Sequence, residues 1–129
     1  MKAFTDTEQS KKLAEILPLE SADMFWYRDA VTKENNPRIM SLSQVPNNKS
    51  MYYFPCWSFA ALLNVIPISY KDEGQYCFAL INTNPSANPV EWRACYEDCY
   101  GNMLMESYAD NPVDACVDMI IKLKESNLL

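Results

Sequence analysis

The stretch from Trp92 to Lys124 changes its hydrophobic period from two to about 3.6 across Asp110-Asn111-Pro112. That change constrains the fold more than any other feature of the chain. Before it, Trp92, Ala94 and Tyr96 alternate with Arg93, Cys95 and Glu97, the pattern of a strand with one face against an apolar interior. Asp98 to Asn102 make a turn, and Met103, Met105 and Ser107 then alternate with Leu104, Glu106 and Tyr108. After it, Val113, Cys116, Val117, Ile120 and Leu123 recur at helical spacing. Asn111 fits the N-cap, Pro112 the first helical position and Asp114 the third, where a carboxylate favours the free N–H groups and the helix dipole. Asp118 and Lys122, four apart, fall on the wet side, and Lys122 and Lys124 suit the C-terminal end. The order predicted is strand, strand, helix.

Upstream the signals are shorter. Thr5-Asp6-Thr7-Glu8 has capping-box spacing, with Thr5 as N-cap and Glu8 at the third helical position. Leu13, Ile16 and Leu17 supply one narrow apolar edge, and Pro18 ends that helix. Met24 to Tyr27 and Arg38 to Leu42 are β-prone, with Thr32 to Pro37 as a long hairpin loop between them. Pro46 to Lys49 is a turn, and Met51 to Phe54 a short strand or an aromatic loop. Pro55 to Ser58 opens a second helix, with Phe59, Leu62, Leu63 and Ile66 at helical spacing and Pro67 at its end. So few of its residues are polar that it is expected to be largely buried. Asp72 to Gln75 turn the chain into Tyr76–Ile81, apolar on both faces and expected as a central strand. Asn82 to Pro89 is a loop.

A length of 129 residues suits one domain spanning 1–129, long enough to bury an ordinary core. The net charge is −6, and Glu91 to Asp118 accounts for all of it, with seven acids against Arg93 alone. Such a surface repels phosphate backbones, so a nucleic-acid partner is not expected. The N-terminus lacks the apolar core of a secretory signal, and no apolar run approaches the length of a membrane span. With no export signal, the odd cysteine count reads as reduced thiols of a cytoplasmic protein without a membrane partner.

Histidine is absent, which removes Ser-His-Asp and Cys-His catalysis and histidine metal ligands. Of Cys56, Cys77, Cys95, Cys99 and Cys116, only Cys95 and Cys99 have ligand-like spacing, and a zinc site needs a second such pair. Cys77 and Cys116 lie in apolar stretches and read as small buried hydrophobes. Cys56, just before the second helix, is either a thiolate favoured by a helix N-terminus or an inert thiol. Glu97, Asp98 and Glu106 flank a turn, where acids are solvated rather than held apart for acid–base work. The only glycines are Gly74 and Gly101, so no glycine-rich phosphate loop exists. No enzyme, cofactor or metal is expected. Aromatic clusters at Phe25-Trp26-Tyr27 and Tyr52-Tyr53-Phe54…Trp57, with Trp92, either fill the core or line a ligand pocket or interface; Trp26, Tyr53, Trp57 and Trp92 are the candidate site residues.

From Trp57 to Leu123 the pattern resembles the small α–β–α sandwich domains common among phage and prophage proteins. The resemblance is carried by Trp57-Ser58-Phe59-Ala60-Ala61-Leu62-Leu63, Ala79-Leu80, Trp92-Arg93-Ala94-Cys95-Tyr96, Gly101, and Ala109-Asp110-Asn111-Pro112…Ala115-Cys116. It implies a fold and a mobile-element setting, with no catalytic residues. The expectation is thus a single α+β domain: a mostly antiparallel sheet with two to three helices packed on it, and the N-terminal hairpin extending that sheet or covering an edge. Two functions follow. One is a non-enzymatic accessory protein acting through a protein partner or self-association. The other is a small-molecule or peptide binder with an aromatic pocket near Trp26, Trp57 and Trp92.

Overall fold

The computed structural model describes residues 1–29, 31–39, 53–71, 75–88 and 90–129. Among these the protein is α+β. Its elements are α1 Thr7–Ile16, β1 Met24–Arg28, β2 Asn35–Ile39, β3 Tyr53–Cys56, α2 Phe59–Val65, β4 Ser69–Lys71, β5 Gln75–Asn84, β6 Glu91–Glu97, β7 Met103–Ala109 and α3 Pro112–Glu125. The paired strands run antiparallel and form two sheets, ordered β2-β1-β3 and β4-β5-β6-β7. The N-terminal hairpin therefore does not extend the main sheet. It builds a sheet of its own with β3. The chain divides into two compact units, residues 3–62 and residues 63–129 together with Met1 and Lys2.

In the first unit the capping box lies one residue later than expected. Asp6 caps α1, accepting from the Gln9 N–H at 2.8 Å, and the Gln9 side chain returns to the Asp6 N–H at 3.1 Å. Thr5 cannot cap because it is drawn into the core. Its N–H donates to the Trp57 carbonyl at 2.9 Å, and its hydroxyl accepts from the Trp57 N–H at 3.1 Å. The β1–β2 pairing reaches Arg28 opposite Asn35, so the long loop expected from Thr32 to Pro37 shortens to a tight turn. Asp29 makes that turn. Its carboxylate accepts from the N–H groups of Val31 and Thr32 at 2.8 and 3.0 Å, and these bonds, that from Thr32 foremost, hold its pKa below the usual value. Pro37 sits on edge strand β2, where a missing N–H costs little. The remainder of the expected second strand, beyond Ile39, lies outside the described residues. So do the Pro46–Lys49 turn, Met51-Tyr52, the Asp72–Gly74 turn and Pro89.

The second helix begins later than expected, because Pro55 and Cys56 belong to β3. Ser58 starts α2, its hydroxyl accepting from the Ala61 N–H at 3.2 Å. Asp23 in turn accepts from the Ser58 N–H at 2.9 Å and from its hydroxyl. The helix is not largely buried: Ala61 and Leu62 are, while Ala60, Leu63 and Asn64 are exposed.

In the second unit β5 occupies the expected central position but extends to Asn84, into the expected loop. Edge strand β4 has three residues, too few to leave a periodic signal in the sequence. Tyr96 anchors the interior of the sheet. Its ring lies 5.1 Å from that of Tyr70 and 5.5 Å from that of Phe78, and its hydroxyl donates to the Pro67 carbonyl at 2.6 Å. The β6–β7 turn needs Gly101 at φ +83°, a left-handed conformation that side chains resist. The cap of α3 is as expected: Asn111 Oδ1 accepts from the Asp114 N–H at 2.9 Å, with Pro112 in the first turn. Lys2 Nζ pairs with the Asp114 carboxylate at 2.7 Å. Val113, Cys116, Val117, Ile120 and Leu123 are buried, joined by Ala115 and Met119. Each large apolar side chain so buried stabilises the fold by about 1.5–3 kcal/mol.

Candidate interaction surface

The four aromatic residues singled out in the sequence divide between the units. Trp26, Tyr53 and Trp57 belong to residues 3–62, and Trp92 belongs to residues 63–129. Trp26 packs with Met24, Cys56, Phe4 and Phe54, and its Nε1 donates to Ser10 Oγ at 3.2 Å and to the Thr5 carbonyl at 3.3 Å. Trp57 is fully buried, and its Nε1 donates to Ser21 Oγ at 2.9 Å. A buried indole whose N–H is satisfied inside its own unit fills a core. Tyr53 is half-buried, its ring 5.2 Å from that of Tyr27. Trp92 is half-buried on β6, opposite Asn82 and Ala109.

The five cysteines carry free thiols. Cys56 ends a strand and is fully buried, and that burial pushes its pKa up. Burial and a place at the end of a strand favour the inert thiol over the helix-activated thiolate at this position. Cys116 packs as expected, with its pKa pushed up to about 12 by burial. Cys77 does not pack as expected; it is exposed. Asp98 is a turn residue. Its carboxylate accepts from the Tyr100 and Asn102 N–H groups and from Asn102 Nδ2, and these bonds, led by the Asn102 side chain, lower its pKa. An acid so committed is a structural brace and not a proton donor at neutral pH.

The two faces of the main sheet differ because side chains alternate along a strand. Tyr96 feels Cys116 of α3, so the even-numbered β6 positions face that helix. Cys95 feels Arg93, Glu97 and Glu106, which share the opposite face. On that face the register sets three cross-strand rows: Cys77, Glu97 and Met103; Ala79, Cys95 and Glu106; Ile81, Arg93 and Tyr108. Arg93 stands opposite Tyr108 in the register, and that neighbour raises its already high pKa. The Tyr108 hydroxyl donates to Glu106 Oε2 at 3.1 Å. At the turn end of the face a cleft of about 670 Å³ is lined by Gln75, Cys77, Ala79, Glu97, Cys99 and Tyr100. Tyr100 is 86% exposed and Tyr108 47% exposed.

Tyr100 and Tyr108 stand out only in the structure. In the sequence the sole signals were the place of Tyr100 beside Gly101 in a turn and that of Tyr108 in an alternating strand. Among the described residues no cluster of three or more Cys, Asp or Glu side chains is arranged to hold a metal ion. No helix among them is long and apolar enough to cross a membrane. No protein-family model, curated protein or solved structure matches the chain.

Proposed function

We propose that this protein is a non-enzymatic interaction module, acting through the β6–β7 side of residues 63–129. One observation carries the reading. Tyr100 and Tyr108, two large aromatic side chains, stand exposed on that side, with the partly exposed Met103 between them in sequence. Aromatic residues and methionine are enriched where proteins meet, and buried aromatics contribute most to such contacts. Arg93, opposite Tyr108 in the register, adds a cation beside one of them. The resemblance of Trp57 to Leu123 to phage-type domains supports an accessory role in a mobile element, and the free thiols fit a reducing cytoplasm.

Affinity capture with the intact chain, side by side with a Tyr100→Ala/Tyr108→Ala variant, tests the reading. The expected result is a partner retained by the intact chain and lost from the variant, with circular dichroism unchanged between them. Equal capture by both proteins overturns it.

A second reading rests on the cleft at the turn end, whose volume is within the range of small-molecule sites. A ligand seated there would raise the melting temperature in a thermal-shift screen, and a Tyr100→Ala variant would lose that shift.

A further inference from the structure

The edge of the main sheet carries a more specific inference, which rests on reading this unit as an interaction module. Among the described residues β7 is an edge strand of seven residues, paired only with β6. An unpaired edge is a template for another strand, and proteins commonly place a lysine there to block it. Here Lys122 of α3 donates to the Glu106 carbonyl of that strand, an exposed contact that an added strand replaces by pairing with the same carbonyl.

Two hollows flank Tyr108. One, of about 230 Å³, is lined by Val90, Glu91, Ala109 and Asp110. The other, of about 260 Å³, lies between β7 and α3 and is lined by Ser107, Asp118, Ile121, Lys122 and Glu125. Ser107 is 2% exposed, and its hydroxyl has no hydrogen-bond partner among the described residues. A buried polar group is normally satisfied, so an unpaired hydroxyl lining a hollow points to a partner that supplies the missing bond.

Charge selects the kind of partner. Glu91, Asp110, Asp118 and Glu125 line these hollows against a single lining cation, Lys122, so their walls are net acidic. A second copy of this chain would bring the same acids to the same edge and repel. We propose that β7 takes an extended, basic protein segment as an added strand. Lysine or arginine side chains of that segment face Asp110 and Glu125, and one of its polar groups meets Ser107 Oγ.

The test uses the intact ¹⁵N-labelled chain, titrated with an alternating Lys-Val octapeptide and, separately, with its Glu-Val counterpart. The expected result is saturable amide shifts centred on residues 103–109 with the basic peptide alone, weakened by added salt. An Asp110→Lys/Glu125→Lys variant should bind about tenfold more weakly, the size expected when two rim attractions become repulsions. No shift at about 1 mM basic peptide, the weak end of specific binding, overturns the proposal. Equal response to the acidic peptide also overturns it. Shifts confined to Cys77, Ala79, Ile81, Arg93 and Cys95 overturn the edge site while leaving the interaction reading of the unit standing. A peptide-free dimer that protects the amides of β7 from exchange assigns the edge to a second copy and overturns it as well.

Discussion

Thr5 Oγ1 and Ser10 Oγ lie 2.7 Å apart, and neither residue has any solvent exposure. Around them the Trp26 indole N–H reaches Ser10 Oγ, the Trp57 backbone N–H reaches Thr5 Oγ1, and the Cys56 thiol reaches the Thr5 carbonyl. Two short hydroxyl side chains thus tie α1 to β1 and β3. A buried hydroxyl is costly unless paired, and once paired its removal leaves its partners unsatisfied.

Ser10→Ala leaves Trp26 only its longer bond to the Thr5 carbonyl and is expected to cost about 1–2 kcal/mol. Thr5→Val strips the acceptor from the Trp57 N–H and the partner from Ser10, and is expected to cost about 2–3 kcal/mol. Urea unfolding followed by tryptophan fluorescence measures both. If Thr5→Val proves the milder change, Thr5 is not the centre of the network.

Asn111→Ala removes the side-chain acceptor of the Asp114 N–H at the start of α3. The expected loss is about 1 kcal/mol, with Asn111→Asp close to neutral because aspartate caps equally well. Thermal unfolding of the three proteins at one pH checks the order. An alanine variant as stable as the parent would show that the cap contributes nothing here.

Burial makes the protein sensitive to alkali. The thiol of Cys116 titrates near 9 when unfolded and near 12 when folded, and burial shifts the Tyr96 phenol in the same direction. Below pH 9 both states of Cys116 keep the proton. Above it the unfolded state loses the proton first, so stability falls as pH rises from about 9 through 12, by at most about 1.4 kcal/mol per pH unit for one group. Urea midpoints at pH 8, 9.5 and 11 should decline, and Cys116→Ala should flatten that slope even though its cavity lowers stability at every pH.

Thiol labelling separates the cysteines by burial. Cys77 and Cys99 are exposed, whereas Cys56, Cys95 and Cys116 are buried. A brief exposure to a thiol reagent under native conditions should add two labels by mass spectrometry, and denaturant should admit the other three. A third rapid label, mapped to Cys95, would mean that the face bearing Arg93 and Glu106 opens readily.

The sequence by itself determined most of residues 91–125. Alternation in β6, the Gly101 turn, and the Asn111-Pro112 start of α3 are local signals, and each states its own geometry through steric limits or a cap within four residues. The same local logic failed at Thr5, which its spacing to Glu8 marked as the N-cap but which bonds to Trp57 and Ser10 draw into the core, leaving Asp6 to cap. It failed again at Pro55-Cys56, whose place in β3 depends on β1, thirty residues earlier in the chain.

Tertiary structure alone decided the rest. It made a separate sheet from the N-terminal hairpin, because strand pairing is a long-range choice among several β-prone segments. It buried Trp26 and Trp57 and exposed Tyr100 and Tyr108, since composition counts aromatic side chains but only packing sorts them into core and surface. Among the described residues it also left β7 at the edge of its sheet with the Ser107 hydroxyl unpaired, a property of neighbours in space that no spacing along the chain encodes.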